Sequence, residues 1–181
     1  MLVGILAGWV VAADDLRLVD SKGDATRWLE WLETLGPTAA LVWSSWAPEG
    51  ERFRFLYNQR GHQVLRFLEL DAEAATVRTI LEERSDTFVD YSQKTHLQRI
   101  PDTDDWLWMS ERSGWNHLYR LDAATGTLTP LTKGSWVVRR VVDVDARAGS
   151  VLFAAMGVYP DQDPYHVHYG RVGLDGEGLV W

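Results

Sequence analysis

Four aspartates, Asp20, Asp71, Asp122 and Asp175, stand 51, 51 and 53 residues apart, each closing a hydrophobic run and opening a turn. The contexts are "LVDSKGDATRWL", "LELDAEAATVRTIL", "YRLDAATGTLTPLT" and "VGLDGEGLVW". A repeat at constant spacing constrains a chain more than any single motif, because each unit must then build the same small element of structure. The rest of the unit keeps the beat. "FRFLYNQRGHQVLRFLELD" (53–71) parallels "WLWMSERSGWNHLYRLD" (106–122), each an alternating strand, a polar turn with Gly61 or Gly114, and a second strand. Phe53, Phe55 and Tyr57 alternate with Arg54, Leu56 and Asn58, and Trp106 shares a face with Trp108, the period of two that a strand requires. After each Asp turn come "TVRTIL" or "TLTPLT", then an aromatic-valine pair, Phe88-Val89 or Trp136-Val137. In the last unit "GVYPDQDP" (157–164) lengthens one loop without changing the order of elements.

Units of about 50 residues with four short strands are the mark of a β-propeller. A closed disc at this period needs at least about 200 residues, and the 181 residues hold about three and a half units. The fold class expected is therefore all-β, a partial β-propeller of about three to four consecutive four-stranded antiparallel blades. The divisions read as an incomplete blade over 1–40, blades over 41–90 and 91–145, and an incomplete blade over 146–181. "ATRWLEWLETL" runs against this pattern, with Trp28, Trp31, Leu32 and Leu35 at helical spacing before Gly36-Pro37. The repeat register makes Thr26–Leu29 a strand and Glu30–Pro37 a linker, and it takes precedence over a weak local propensity.

Charge and composition narrow the partners. A net charge of −8 with no Lys/Arg cluster argues against nucleic acid, which needs a basic surface to release counterions. Cysteine is absent, so there is no disulfide, thiolate metal site or cysteine nucleophile. The opening run "MLVGILAGWVVAA" lacks the basic segment of an export signal and is too short for a membrane-spanning helix; it reads as a buried strand. The expected protein is soluble, without a membrane span, and cytoplasmic or periplasmic.

The strings "WMSERSGWNHLYRLD" (108–122), "LTKGSWVV" (131–138) and "YHVHYGRVGLDG" (165–176) resemble the N-terminal propeller of the dipeptidyl peptidase IV branch of prolyl oligopeptidase-type serine peptidases. Upstream, "WAPEGERFRFLYNQRGHQVLRFLELD" and "SDTFVD" look like the preceding blade of that domain. The resemblance implies an eight-bladed propeller capping an α/β-hydrolase domain, with the active site in the cavity between them. It implies a Ser-Asp-His triad from the hydrolase domain, a Glu-Glu pair gripping the substrate's amino terminus, and release of dipeptides after proline or alanine. No Gly-x-Ser-x-Gly elbow surrounds Ser44, Ser45, Ser110, Ser113 or Ser135, and the Glu-Glu grip belongs to blades before the matched region. The acidic pair Glu82-Glu83 reads as a solvated turn. No catalytic residue is therefore expected within this chain.

The remaining candidates are few. His166 and His168 lie two apart and would share a strand face, but a metal needs a further ligand, so no metal and no cofactor are expected. His117 in "NHLY" reads as a packing or hydrogen-bonding residue of its blade. Glu111 and Arg112 in "SERSG" read as turn residues. The loop "VDYSQKTHLQR" (89–99) matches one that, in the resembled family, lies near the substrate's second subsite. Asp90 and Tyr91 are therefore the candidate substrate-binding residues, in the context of a full enzyme. The function expected is a non-catalytic, substrate-gating propeller segment that meets peptide only together with an α/β-hydrolase domain. The alternatives are a stand-alone TolB-like propeller module for protein–protein interaction, or a relic fragment. Unpaired end strands further lead us to expect self-association or pairing with remaining blades.

Overall fold

The structure, a computed structural model, describes residues 5–6, 9–10, 40–46, 52–71, 73–74 and 76–181, with side chains from residue 52 onward. The strand expected at Thr26–Leu29 and the competing helix lie outside the described residues. Within the opening apolar run, β1 (Ile5–Leu6) and β2 (Trp9–Val10) pair antiparallel. The chain divides into two compact units, Met1–Val89 and Asp90–Trp181.

Every described element is a strand, and the pairing is antiparallel throughout. In the first unit β3 (Ala40–Trp46), β4 (Arg52–Asn58), β5 (Val64–Asp71) and β6 (Thr76–Arg84) form a four-stranded sheet in sequence order. In the second, β7 (Leu97–Arg99), β8 (Asp105–Ser110), β9 (His117–Asp122) and β10 (Leu128–Pro130) form another. It is followed by a sheet of β11 (Val137–Asp145), β12 (Ser150–Met156) and β13 (Val167–Gly173). Val180 makes an isolated bridge to Arg171 at the position where a fourth strand would run. Among the described residues there is no helix, hence none long and apolar enough to cross a membrane. Successive meandering sheets of this kind are the blades of a β-propeller, here a partial one.

The repeated aspartate has one job at each place where it is described. Asp71 Oδ1 accepts the backbone N–H groups of Glu73 (2.9 Å) and Ala74 (2.8 Å), closing the turn from β5 to β6. Asp122 Oδ1 accepts Ala124 (2.8 Å) and Thr125 (3.0 Å) between β9 and β10, and Asp175 Oδ1 accepts Glu177 (3.0 Å) after β13. A short carboxylate that satisfies two otherwise unpaired N–H groups makes such turns local and repeatable. The N–H of Thr125 is the main influence holding the Asp122 carboxyl below the usual carboxylate range.

The two sheets of the second unit share a core. Leu107, Met109 and Leu118 from β8 and β9 meet Val151, Phe153, Ala155 and Val172 from β12 and β13, with Ile100, Leu131, Trp136 and Val138 filling the gap. Trp136 lies parallel to Phe153 at 5.9 Å, and Trp181 packs edge-on to both at 5.0 and 5.8 Å. Gly170 is the register partner of Phe153, and a Cβ there would come within 2.6 Å of that ring and 3.0 Å of Trp181, so only glycine lets the aromatics close over the strand.

In the first unit β4 and β5 are buried on both faces. One face stacks Phe55, Tyr57, Leu68 and Leu70, with Phe53 and Val77 packed against them. The other carries an ion network. Arg54, 1% exposed, donates to Glu69 Oε2 at 2.6 Å, and Arg78 donates to Oε1 at 2.8 Å. Both pairs sit directly across the ladders from β4 to β5 and from β5 to β6.

Candidate functional site

Antiparallel register brings four loops of the second unit to one end. They are the segment before β7 (90–96), the β8–β9 connection (111–116), the β10–β11 connection (131–136) and the β12–β13 connection (157–166). Side-chain contacts tie the first three together. Lys94 Nζ meets Glu111 Oε1 at 2.8 Å, and His117 Nε2 meets the Gly134 carbonyl at 3.0 Å. This end carries Tyr91 and the exposed rings of Trp115, Tyr159 and Tyr165. The turns at the opposite end, around 101–104, 122–127, 145–149 and 174–178, contain no aromatic residue. Loops positioned by a rigid scaffold are where binding residues concentrate.

Asp90 folds its own loop. Its Oδ1 accepts Ser92 N–H (3.3 Å), Ser92 Oγ–H (3.0 Å) and Gln93 N–H (3.1 Å), while its carbonyl accepts Lys94 N–H (3.3 Å) and Thr95 Oγ–H (3.1 Å). Partial burial would raise its pKa. The hydrogen bonds from Gln93 and Ser92, with the nearby Lys94 charge, outweigh that and hold the carboxyl low. Asp90 is thus an ionised turn cap next to the half-buried Tyr91. The Lys94–Glu111 pair is largely solvated, and such pairs contribute only about 0–1 kcal/mol.

The histidines are structural or singly placed. His117 is buried, with Nδ1 against Thr132 Oγ1 (3.0 Å), Nε2 against the Gly134 carbonyl and its ring edge-on to Trp136 at 4.7 Å. With the carbonyl as acceptor, Nε2 carries the proton and Nδ1 accepts from the hydroxyl. This fits the packing role read from "NHLY". His166 precedes β13, so the two histidines do not share a continuous strand. His168 contacts Gln162 Oε1 (3.1 Å) and packs edge-on to Tyr159 (4.9 Å). Among the described residues no group of three His, Cys, Asp or Glu could hold a metal ion. Ser110 is buried and accepts from Arg112 N–H and Nε–H, both at 3.1 Å, and Arg112 lies over the Tyr119 ring.

One reading is corrected. Glu82 and Glu83 lie on β6, not in a turn, because the strand continues to Arg84. Glu82 Oε2 accepts Arg66 Nε–H at 2.6 Å from the paired position on β5, and its Oε1 accepts Arg84 at 2.9 Å, so cationic neighbours let the acidic pair stay in the ladder. The hydrogen bond from Arg66 is the chief cause that lowers the Glu82 pKa.

Burial lowers the His117 pKa, the hydrogen bond to the Gly134 carbonyl opposing it. The unfolded chain therefore takes up a proton that the folded chain refuses. This stability is complete above the ordinary histidine value of about 6.5 and is lost as pH falls through it. His96, also lowered by burial, acts with the same sign. The expected result is a lower urea midpoint at pH 5.5 than at pH 7.5, with a smaller difference in His117→Gln; equal pH dependence in the two proteins would remove His117 from this role.

The consecutive four-stranded blades define the chain as a segment of a β-propeller. The model of the dipeptidyl peptidase IV (DPP IV) N-terminal region matches residues 12–177, and the chain belongs to that family. Two solved structures share the fold. One, assigned as a dipeptidyl aminopeptidase IV from Bacteroides ovatus, aligns with a TM-score of 0.64 and 19% identity over 79% of this chain and 22% of its own. The other, dipeptidyl peptidase 4 of Porphyromonas gingivalis, aligns with a TM-score of 0.65 and 16% identity over 80% of this chain and 20% of its own. The chain thus spans about a fifth of the length of either.

Proposed function

We propose that this segment works as part of the access-restricting propeller of a DPP IV-type serine peptidase. In this reading it admits thin, unfolded peptides to a hydrolase active site and excludes folded proteins. The observation that carries the reading is the confinement of Tyr91, Trp115, Tyr159 and Tyr165 to one loop end of the second unit, in a chain of this family. Such an end suits contact with a hydrolase domain and with peptide side chains. Asp90 holds the turn and Tyr91 lends an apolar ring to the pocket wall. The action is steric and needs no catalytic group from these residues.

The 181-residue chain alone is expected to release no p-nitroaniline from Gly-Pro or Ala-Pro p-nitroanilide. A polypeptide containing this segment and a hydrolase domain is expected to cleave both, and Tyr91→Ala in it to raise KM about 3–10-fold with kcat nearly unchanged, as for lost ground-state binding. Fluorophosphonate-sensitive release by the isolated chain, or a KM indifferent to Tyr91→Ala, would count against the reading.

A further inference from the structure

Asn116, His117 and Leu118, at the start of β9, hold the connection from β10 to β11 at successive points. Leu118 N–H donates to Thr132 Oγ1 at 2.9 Å, and the Leu118 carbonyl accepts Leu131 N–H at 2.8 Å. His117 takes the middle, with Nδ1 at 3.0 Å from Thr132 Oγ1 and Nε2 at 3.0 Å from the Gly134 carbonyl. Asn116 takes the far end. Its carbonyl accepts Val138 N–H at 2.8 Å, and its Nδ2 donates to the Val138 carbonyl at 2.9 Å. Residues 131–136 belong to no strand, and Lys133, Gly134 and Ser135 are exposed. One buried histidine thus fastens the middle of a surface strap.

His117 and Thr132 are 1% and 3% exposed, and the bonds at the ring suit one protonation state only. Neutral imidazole donates from Nε2 to the Gly134 carbonyl and accepts the Thr132 hydroxyl proton at Nδ1. A second proton turns Nδ1 into a donor facing that hydroxyl, whose oxygen already accepts Leu118 N–H. The surroundings do not offset the new charge. The register partner on β8 is Ser110, which accepts from Arg112, and the strap itself carries Lys133. Glu111, in the β8–β9 connection, is engaged by Lys94, and the core presents the Trp136 ring. Among the described residues no carboxylate bonds the imidazole. A charge held out of water without a counter-charge costs more than a few neutral hydrogen bonds return.

We propose that His117 is the latch of a pH-sensitive strap. On taking up a proton its ring leaves the site and residues 131–136 come away from β9, while the Asn116–Val138 pair stays made as the hinge. Gly134 rests its backbone on the Trp136 indole, where a Cβ would overlap the ring, so release also uncovers that indole. The strap is one of the four connections at the aromatic loop end, and acid therefore loosens this end before the sheets part. The lowered pKa of His117 has the sign this requires, since the latched form refuses a proton that the open form accepts. The inference stands on the fold and does not depend on the gating role.

Native-state hydrogen exchange of the 181-residue chain, read amide by amide by NMR at pH 5.5 and 7.5, tests it. The reporters are the Leu118 and Thr132 amides, which bond across the strap. After correction for intrinsic exchange, their protection is expected to fall about tenfold at pH 5.5, as for release of a histidine of pKa about 6.5. His117→Gln, neutral at both pH values, is expected to remove that fall. Low urea separates the strap from the whole fold, because opening a strap exposes little surface. Below the unfolding transition the reporters are expected to ignore urea, while the Val151 and Phe153 amides, in the middle strand of their sheet, respond to it. If His117→Gln does not fold, the urea dependence of the wild type decides. Reporters that follow urea in step with Val151 and Phe153 overturn the proposal. So does equal protection at the two pH values, or a fall of the same size in His117→Gln.

Discussion

Phe153→Ala is expected to lower the unfolding free energy by about 3–5 kcal/mol, the cost of emptying an aromatic site in a packed core. Phe153 is fully buried at the centre of the second unit, parallel to Trp136 and edge-on to Trp181. Its register partner Gly170 offers no side chain to fill the space, and Ala155 on the same face is too small to move in. The aromatic contacts add to the area term, each about 0.5–1.5 kcal/mol. Since a whole domain holds only about 5–15 kcal/mol, the variant should show a sharply lower urea midpoint by tryptophan fluorescence. Phe153→Leu should keep more than half of the lost stability. A loss under about 1 kcal/mol in the alanine variant would mean that the Trp136–Phe153–Trp181 stack is not the centre of this core.

Glu69→Ala is expected to be of similar severity, about 3–5 kcal/mol, for the opposite chemical reason. The carboxylate is shared by Arg54 and Arg78, and Arg52 Nη1 lies 3.6 Å from it. Arg54 is nearly as buried as Phe67, so deleting the carboxylate takes away the counter-charge bonded to the Nε of a guanidinium held out of water. A buried ion pair is costly to break yet weak evidence of net stabilisation, and that distinction yields a sharper test. Arg54→Leu combined with Glu69→Leu should recover most of the loss, because Leu56, Leu65 and Phe67 surround the pair on the same buried strands. Were the double variant as unstable as Glu69→Ala, the network would contribute more than charge compensation.

Much of this architecture was legible before any coordinates. The Asp turns could be read because their chemistry is local: a carboxylate two or three residues from the N–H groups it accepts needs no distant partner. The strands of β4, β5, β8 and β9 announced themselves by alternation and by residue type. Glu82-Glu83 misled because two adjacent acids look solvated unless Arg66, 16 residues back, is known to lie across the ladder from Glu82. Asp90 and Tyr91 came from a family likeness; the capping bonds of Asp90 show why that loop holds a direction, and whether it lines a pocket rests with the Tyr91→Ala experiment.

The loop end of the second unit was harder to see. Trp115, Tyr159 and Tyr165 each sit in a short polar connection and look like scattered surface aromatics when taken one by one. Antiparallel ladders bring those connections to one end, and no local pattern encodes that. The sequence by itself determined the repeat, the all-β class, the turns and the family, since period, propensity and short-range hydrogen bonding act within a few residues. Only the tertiary structure decided which rings share an end and which acids are neutralised across a ladder. Those properties depend on pairing between residues far apart in the chain, and pairing is settled by packing.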